Sequence, residues 1–209
     1  MANSGKKRLL LMRHGETDLT PTRHFVGRTD LGLSAIGITQ ATRMGDLMQI
    51  HQPERCFCSP MLRCVESAKA VIGSSGLPFE TVADLREIDF GTWEKLTFNE
   101  VEAIDPEGVQ RWLKFDRRFS FGNGERIGAF FARVKRVATQ IVASPENSIL
   151  VVTHGGVIRL LLCHFLGLPL RHYFRFEIGP ASLTALDLYE SGHGVLAGLV
   201  QCNHDGRTA

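Results

Sequence analysis

Leu9-Leu10-Leu11-Met12-Arg13-His14-Gly15-Glu16-Thr17 decides how this chain of 209 residues is read. Four apolar residues in a row predict a short strand buried on both faces. Arg13 and His14 follow at its carboxyl end, and Gly15 permits a sharp turn there. A second stretch repeats the design. Residues 148–153 form the run Ser-Ile-Leu-Val-Val-Thr, which ends in His154-Gly155-Gly156. In an open α/β sheet, ligands bind beyond the carboxyl ends of the strands. A lone histidine after a strand is more often structural than chemical. Two of them, each followed by glycine and one preceded by arginine, predict a site.

Outward from these strands, residues 18–33 contain Pro21, Gly27 and Gly32 and read as a loop. Ser34 offers an N-cap for a helix over 35–50, with Ile38, Ala41 and Met48 on its inner face. A short strand is expected over 55–58. Ser59 is the expected cap of the next helix, with Pro60 at its first position and an end near 72. A strand is expected over 79–82. Residues 87–123 are irregular and read as an excursion over the site. Short helices are expected there over 98–104 and, after the Asp105-Pro106 break, to 115. Ile127, Phe130, Phe131, Val134, Val137 and Ile141 recur at helical spacing within 125–143. A helix over 157–166 is stopped by Gly167 and Pro169. Strands over 183–189 and 195–201 flank Glu190-Ser191-Gly192-His193-Gly194, a hairpin signal. The alternation predicts a three-layer α/β/α sandwich with a mostly parallel sheet and at least one antiparallel strand. Residues 8–201 are expected to form one domain, with 1–7 and 202–209 as loose tails.

Hydrophobic content of 44% and charged content of 22% are ordinary for a globular domain. A net charge of +2 gives no ground for nucleic acid or membrane as a partner. No apolar run has the length of a membrane span. Five scattered cysteines argue against a disulfide framework, and a cytoplasmic location is the expectation. Cys56 and Cys58 alternate onto one strand face. No second Cys/His pair has structural-zinc spacing, so core cysteines are expected and no metal. Neither a Gly-Lys-Ser/Thr phosphate loop nor a Gly-x-Ser-x-Gly elbow is present.

Four motifs in order carry a resemblance. They are Arg13-His14-Gly15-Glu16-Thr17, Ser59-Pro60-Met61-Leu62-Arg63, Leu85-Arg86-Glu87-Ile88-Asp89-Phe90-Gly91-Thr92-Trp93-Glu94, and Thr153-His154-Gly155-Gly156. Together they resemble the histidine phosphatase superfamily, the phosphoglycerate-mutase-like proteins, in its branch of small bacterial phosphatases that includes α-ribazole phosphatase. The resemblance spans about residues 8–200. It implies a phosphomonoesterase without cofactor or metal, acting on a small phosphorylated metabolite through phosphohistidine.

The residues suit that chemistry. A neutral imidazole can attack phosphorus with one nitrogen when the other donates to a fixed acceptor, and His14 is the expected nucleophile. Arg13 and Arg63 are expected to clamp phosphate, since guanidinium matches it bidentately. His154 is expected to be a charged donor to the phosphate. The backbone about Gly155, at a helix N-terminus, is expected to help. Glu87 is the expected general acid, because an adjacent phosphate disfavours its charged form. Gly27 is placed with the substrate contacts, and Glu16 and Glu94 are weaker carboxylate candidates.

Two departures bear on substrate. Thr20 stands where the family often has a phosphate-binding asparagine. Asn123-Gly124-Glu125-Arg126 replaces Gly-Gly-Glu-Ser, so Arg126 brings a cation toward the substrate, and Arg117 and Arg118 add positive charge nearby. Two other functions are open, a phosphoglycerate mutase and a non-catalytic binder of phosphorylated ligands. Family mutases continue after the acid with Arg-His-Tyr and a later lysine. Here Ile88-Asp89-Phe90 follows Glu87, Phe98 stands near the lysine's place, and Leu113-Lys114 replaces an arginine pair after Trp112. Association into a homodimer is left open.

Overall fold

A computed structural model describes residues 5–73, 75–190 and 192–201. The run Leu9-Leu10-Leu11-Met12 lies in β1 (Lys6–Arg13), and all four side chains are fully buried. Their alternation divides the core into two. Leu9 and Leu11 point into the larger apolar cluster, and Leu10 and Met12 into the smaller. A strand covered on both faces needs no polar side, which is why it reads as an unbroken apolar run.

Six strands form one mixed sheet in the order β3-β2-β4-β1-β5-β6. The others are β2 (Arg55–Cys58), β3 (Phe79–Thr81), β4 (Ser148–Thr153), β5 (Leu183–Tyr189) and β6 (Gly194–Val200). Strands β3, β2, β4 and β1 run parallel to one another. The predicted hairpin supplies the antiparallel part, with β5 paired to β1 and β6 to β5. The register of β1 against β4 sets Arg13 opposite Thr153. His14 and His154 therefore leave adjacent parallel strands at the same level.

Helices α1 (Ala35–His51) and α2 (Leu62–Ile72) cover one face. Helices α3 (Phe98–Ile104), α4 (Pro106–Leu113), α5 (Ile127–Ala143) and α6 (Gly155–Phe165) cover the other. This is the expected three-layer arrangement. Ser34 caps α1 by accepting from the Gly37 N–H at 3.1 Å. Thr97 and Glu100 form a reciprocal capping box on α3. Cys56 and Cys58 are buried, free core residues.

Several expectations need correction. Ile38 is 52% exposed, because the buried stripe of α1 runs through Gly37, Ala41, Met44 and Met48. Ile38 lies about 100° round the helix from Gly37, one residue out of phase. Helix α2 begins at Leu62 with Met61 at the N-cap position and no side-chain cap. The Ser59 hydroxyl is engaged elsewhere. Helix α6 begins at Gly155, two residues early, so both glycines lie in its first turn. Strand β1 starts at Lys6, ahead of the expected boundary at 8, and Lys6 and Arg8 both pair with Asp187 of β5. Residues 1–4 of the tail expected over 1–7, the tail expected over 202–209, and the turn residue Ser191 lie outside the described residues.

Candidate active site

Four of the expected side chains meet where β1 and β4 end. His14 is 6% exposed, and its Nδ1 lies 2.7 Å from the Gly15 carbonyl. A carbonyl only accepts, so Nδ1 carries the hydrogen and Nε2 presents a lone pair. Arg63 Nε donates to that Nε2 at 3.3 Å. The His154 ring lies 5.2 Å from the His14 ring, centroid to centroid. Arg63 Nη2 donates to His154 Nδ1 at 3.1 Å, and His154 Nε2 lies 2.8 Å from Ser59 Oγ. One buried guanidinium thus faces both histidines. Arg13 reaches along the other side, donating from Nη1 to the Ile178 carbonyl at 2.7 Å. Its Nε is buried without a partner, a donor free to meet an anion.

This concentration of cations governs protonation. Burial, then Arg63 and Arg13, hold His14 well below the usual histidine range. Burial, then Arg63, His14 and Arg13, do the same to His154. Both rings are therefore neutral near pH 7. The expected charge on His154 as a donor to phosphate depends on the anion's own field, which opposes that of Arg63. Burial, then Arg159, lower the Arg13 guanidinium to about 10.

A stability prediction follows with a definite sign. A buried histidine lowered in the folded state binds fewer protons there than in the unfolded chain, where 6.5 applies. Its contribution is complete above about pH 6.5 and is lost as pH falls toward the lowered native values. Two such rings give a slope of at most roughly 2–3 kcal/mol per pH unit. Urea melts at pH 7.5, 6.5 and 5.5 should show this decline. The His14→Asn/His154→Asn double variant should flatten it, and an unchanged slope would contradict the assignment.

Glu87 is 8% exposed and held by backbone. Its Oε2 accepts from Gly156 N at 2.9 Å, and its Oε1 from Ile88 N at 3.0 Å. Gly156 therefore spends its N–H on Glu87, where a phosphate contact had been expected from this helix start. Gly155 packs beside Arg13 and Arg159. Gly27 belongs to the site through its carbonyl, which accepts from Arg63 Nη2 at 2.9 Å. The Thr20 hydroxyl is committed to Thr17, accepting from its N–H at 2.9 Å. Arg126 is exposed at the N-cap of α5. Arg117 is also exposed and stacks over Phe131 at 4.6 Å. Among the described residues, neither Thr20 nor Arg126 bonds His14, Arg63 or His154.

Three residues hold this arrangement in roles that the sequence does not show. Ser59 orients His154 and was taken for a helix cap. Glu94 accepts from the N–H groups of Gly27, Arg28 and Thr29 and from the Thr29 hydroxyl. It thereby shapes the loop whose Gly27 and Thr29 carbonyls fix Arg63. Arg133 is 6% exposed and forms a bidentate pair with Glu125 at 2.8 Å. It also donates to the carbonyls of Asp84 and Glu87. An arginine within the apolar face of α5, three residues after Phe130, was a readable signal. Glu16, the other weak carboxylate candidate, accepts from the Ser34 hydroxyl at 3.2 Å at the start of α1.

Gly27 allows a sharp test. A Cβ there would lie 1.9 Å from the Ile88 carbonyl oxygen. Gly27→Ala should cost about 1–3 kcal/mol in a denaturant melt, the usual range for overpacking. It should also lower activity beyond what unfolding explains, since the displaced loop carries the Arg63 acceptors. Wild-type stability in this variant would refute the close approach.

With this geometry in view, the relatives are informative. The model of the histidine phosphatase superfamily, branch 1, matches residues 9–199, and the chain belongs to that family. It is 30% identical over 182 residues to the adenosylcobalamin/α-ribazole phosphatase of Escherichia coli K12, covering 87% of this chain and 90% of that one. A glucosyl-3-phosphoglycerate phosphatase of Mycobacterium tuberculosis is 29% identical, with 90% and 86% covered. The crystal structure of a putative α-ribazole-5'-P phosphatase from E. coli superposes with a TM-score of 0.84 at 29% identity, over 92% of this chain and 95% of that one. The chain spans only about half the length of some other curated relatives, which are 34% identical to it. Its class is phosphatase. No helix among the described residues is long and apolar enough to cross a membrane.

Proposed function

We propose that this protein hydrolyses a small phosphorylated metabolite through a phosphohistidine on His14, with Glu87 as general acid. The observation that carries this reading is the fixed tautomer of His14. Its Nδ1–H is tied to Gly15, so Nε2 is the nitrogen whose lone pair attacks. Arg13, Arg63 and His154 surround it as donors for the non-bridging oxygens. A phosphate dianion among them reverses the local field and favours the charged form of His154. Nε2 attacks phosphorus as the ester P–O bond breaks, and protonated Glu87 delivers its proton to the leaving alkoxide. Glu87, now a carboxylate, takes a proton from water. That water attacks the phosphohistidine, the P–N bond breaks, and inorganic phosphate leaves with His14 neutral again.

The relatives' names support a small phosphorylated substrate without fixing which. A panel of phosphorylated metabolites scored by kcat/KM is the deciding experiment. Activity should persist in chelator and be inhibited by vanadate. Hydrolysis is preferred over mutase chemistry because Ile88-Asp89-Phe90 follows Glu87, and anionic Asp89 would repel a carboxylate substrate. Incubation with 3-phosphoglycerate and a trace of 2,3-bisphosphoglycerate should release phosphate slowly, if at all, without isomerisation. Formation of 2-phosphoglycerate faster than phosphate release from every substrate on the panel would overturn this. The non-catalytic alternative is disfavoured because Arg13, His14, Arg63, Glu87 and His154 are all present. Phosphate binding without turnover of any panel member would favour it.

A further inference from the structure

Glu87 adjoins a polar group that the scheme above does not use. Tyr173, in the 3-10 turn Leu170–Arg175, is 5% exposed. A Cβ built on Gly156 would lie 2.8 Å from the Tyr173 hydroxyl oxygen and 2.3 Å from Glu87 Oε1. The phenol and the carboxyl therefore share the small volume that Gly156 leaves open. Arg159, on the next turn of α6, holds its guanidinium carbon 5.7 Å from the centroid of the Tyr173 ring. Its Nε also donates to the Phe176 carbonyl at 2.9 Å, which pins the guanidinium. Arginine can only donate, so the phenol O–H cannot be given to Arg159 and remains for an acceptor such as the Glu87 carboxyl. Burial and the adjacent Glu87 push phenol ionisation above its ordinary range, so the hydroxyl keeps its proton during turnover.

We propose that Tyr173, anchored by Arg159, is a positioning residue that directs its hydroxyl at Glu87 and keeps the carboxyl aimed at the ester oxygen. The terminal torsion of a glutamate is broad, so its plane must be set by outside groups. The Gly156 and Ile88 N–H groups each hold one oxygen. Tyr173 supplies the third restraint, on the side where Gly156 has no side chain. This inference rests on the general-acid reading of Glu87.

The test compares an alkyl phosphate with an activated aryl phosphate, whose leaving group needs little protonation. Glu87→Gln should slow the alkyl ester by roughly 10²–10⁴-fold and the aryl ester far less. Tyr173→Phe retains the ring, which packs 4.4 Å from Phe115 and 4.8 Å from Phe174. It should lower kcat for the alkyl ester roughly tenfold, part of the general-acid contribution. The aryl ester should change less than about twofold, with KM unaltered for both. Arg159→Met should show the same selectivity more weakly. In a Glu87→Gln background, Tyr173→Phe should add no further loss. Equal losses on the two esters, or full additivity with Glu87→Gln, would overturn the positioning role. If Glu87→Gln discriminates between the esters and Tyr173→Phe does not, only this inference falls. If Glu87→Gln itself fails to discriminate, both readings fall.

Discussion

His14→Ala is expected to lose kcat by ~10⁴-fold or more while remaining folded, because the variant has no atom to carry the phosphoryl group. The ring makes few structural bonds, to the Gly15 carbonyl and to Arg63 Nε. Deleting it leaves one buried arginine N–H unpaired, a penalty of about 1–3 kcal/mol. A domain of ordinary stability, about 5–15 kcal/mol, survives that. Loss of turnover without unfolding in a urea melt is therefore the expected pair of results. The covalent step has its own signature. Brief exposure of wild-type protein to radiolabelled substrate and rapid quench should give acid-labile, base-stable phosphate on the protein. Glu87→Gln should retain the label longer, since Glu87 also activates the water that removes it. His14→Ala should carry none. An actively turning-over wild-type protein that shows no label under rapid quench would reject the phosphohistidine route in favour of direct attack by water.

The central strands and the hinge residues of the site were legible because one physical constraint shaped each. A strand buried on both faces must be apolar, so β1 and β4 announced themselves, and the polar residues at their ends stood out. The hairpin of β5 and β6 was legible from its turn. The beginnings of α2 and α6 were not. Ser59-Pro60 has the composition of a cap, but the Ser59 hydroxyl bonds His154, a partner 95 positions away that no local pattern records. Glu94 stood out as a carboxylate candidate, but its role was hidden for the same reason. Its role is to gather N–H groups of the 27–29 loop, more than 60 residues earlier. Arg126 was legible only in part. The cation was visible in the motif, yet the chain direction at the start of α5 leaves it exposed. The protonation of His154 was not legible locally, because it depends on Arg63, another residue distant in sequence. Local signals thus reported which side chains the strands deliver. The bonds that hold them depend on tertiary approach.

Arg63→Met should reduce kcat/KM by roughly 10³-fold or more, a loss on the scale of removing one or more preorganised donors to developing charge. The side chain is fully buried, and four of its five N–H donors are assigned. Nε faces His14, Nη1 the Thr29 carbonyl, and Nη2 both the Gly27 carbonyl and His154. Met retains much of the stem's volume and removes every donor, so two loop carbonyls and two imidazoles lose their partner together. Arg63→Lys should recover little, at most about tenfold, because an ammonium is a compact point charge without the planar fork that reaches four separated acceptors. A second readout separates this role from simple structural support. Arg63 is the largest cause after burial of the lowered proton affinity of both histidines. Removing the positive charge must raise that affinity, so at least one of the two rings should titrate closer to the ordinary 6.5 in Arg63→Met than in wild type. NMR titration of the two ring resonances, measured beside a urea melt, would show it. Unmoved histidine titrations in a folded variant would mean that Arg63 does not set their charge. Wild-type kcat/KM in Arg63→Met would remove it from the phosphate site altogether.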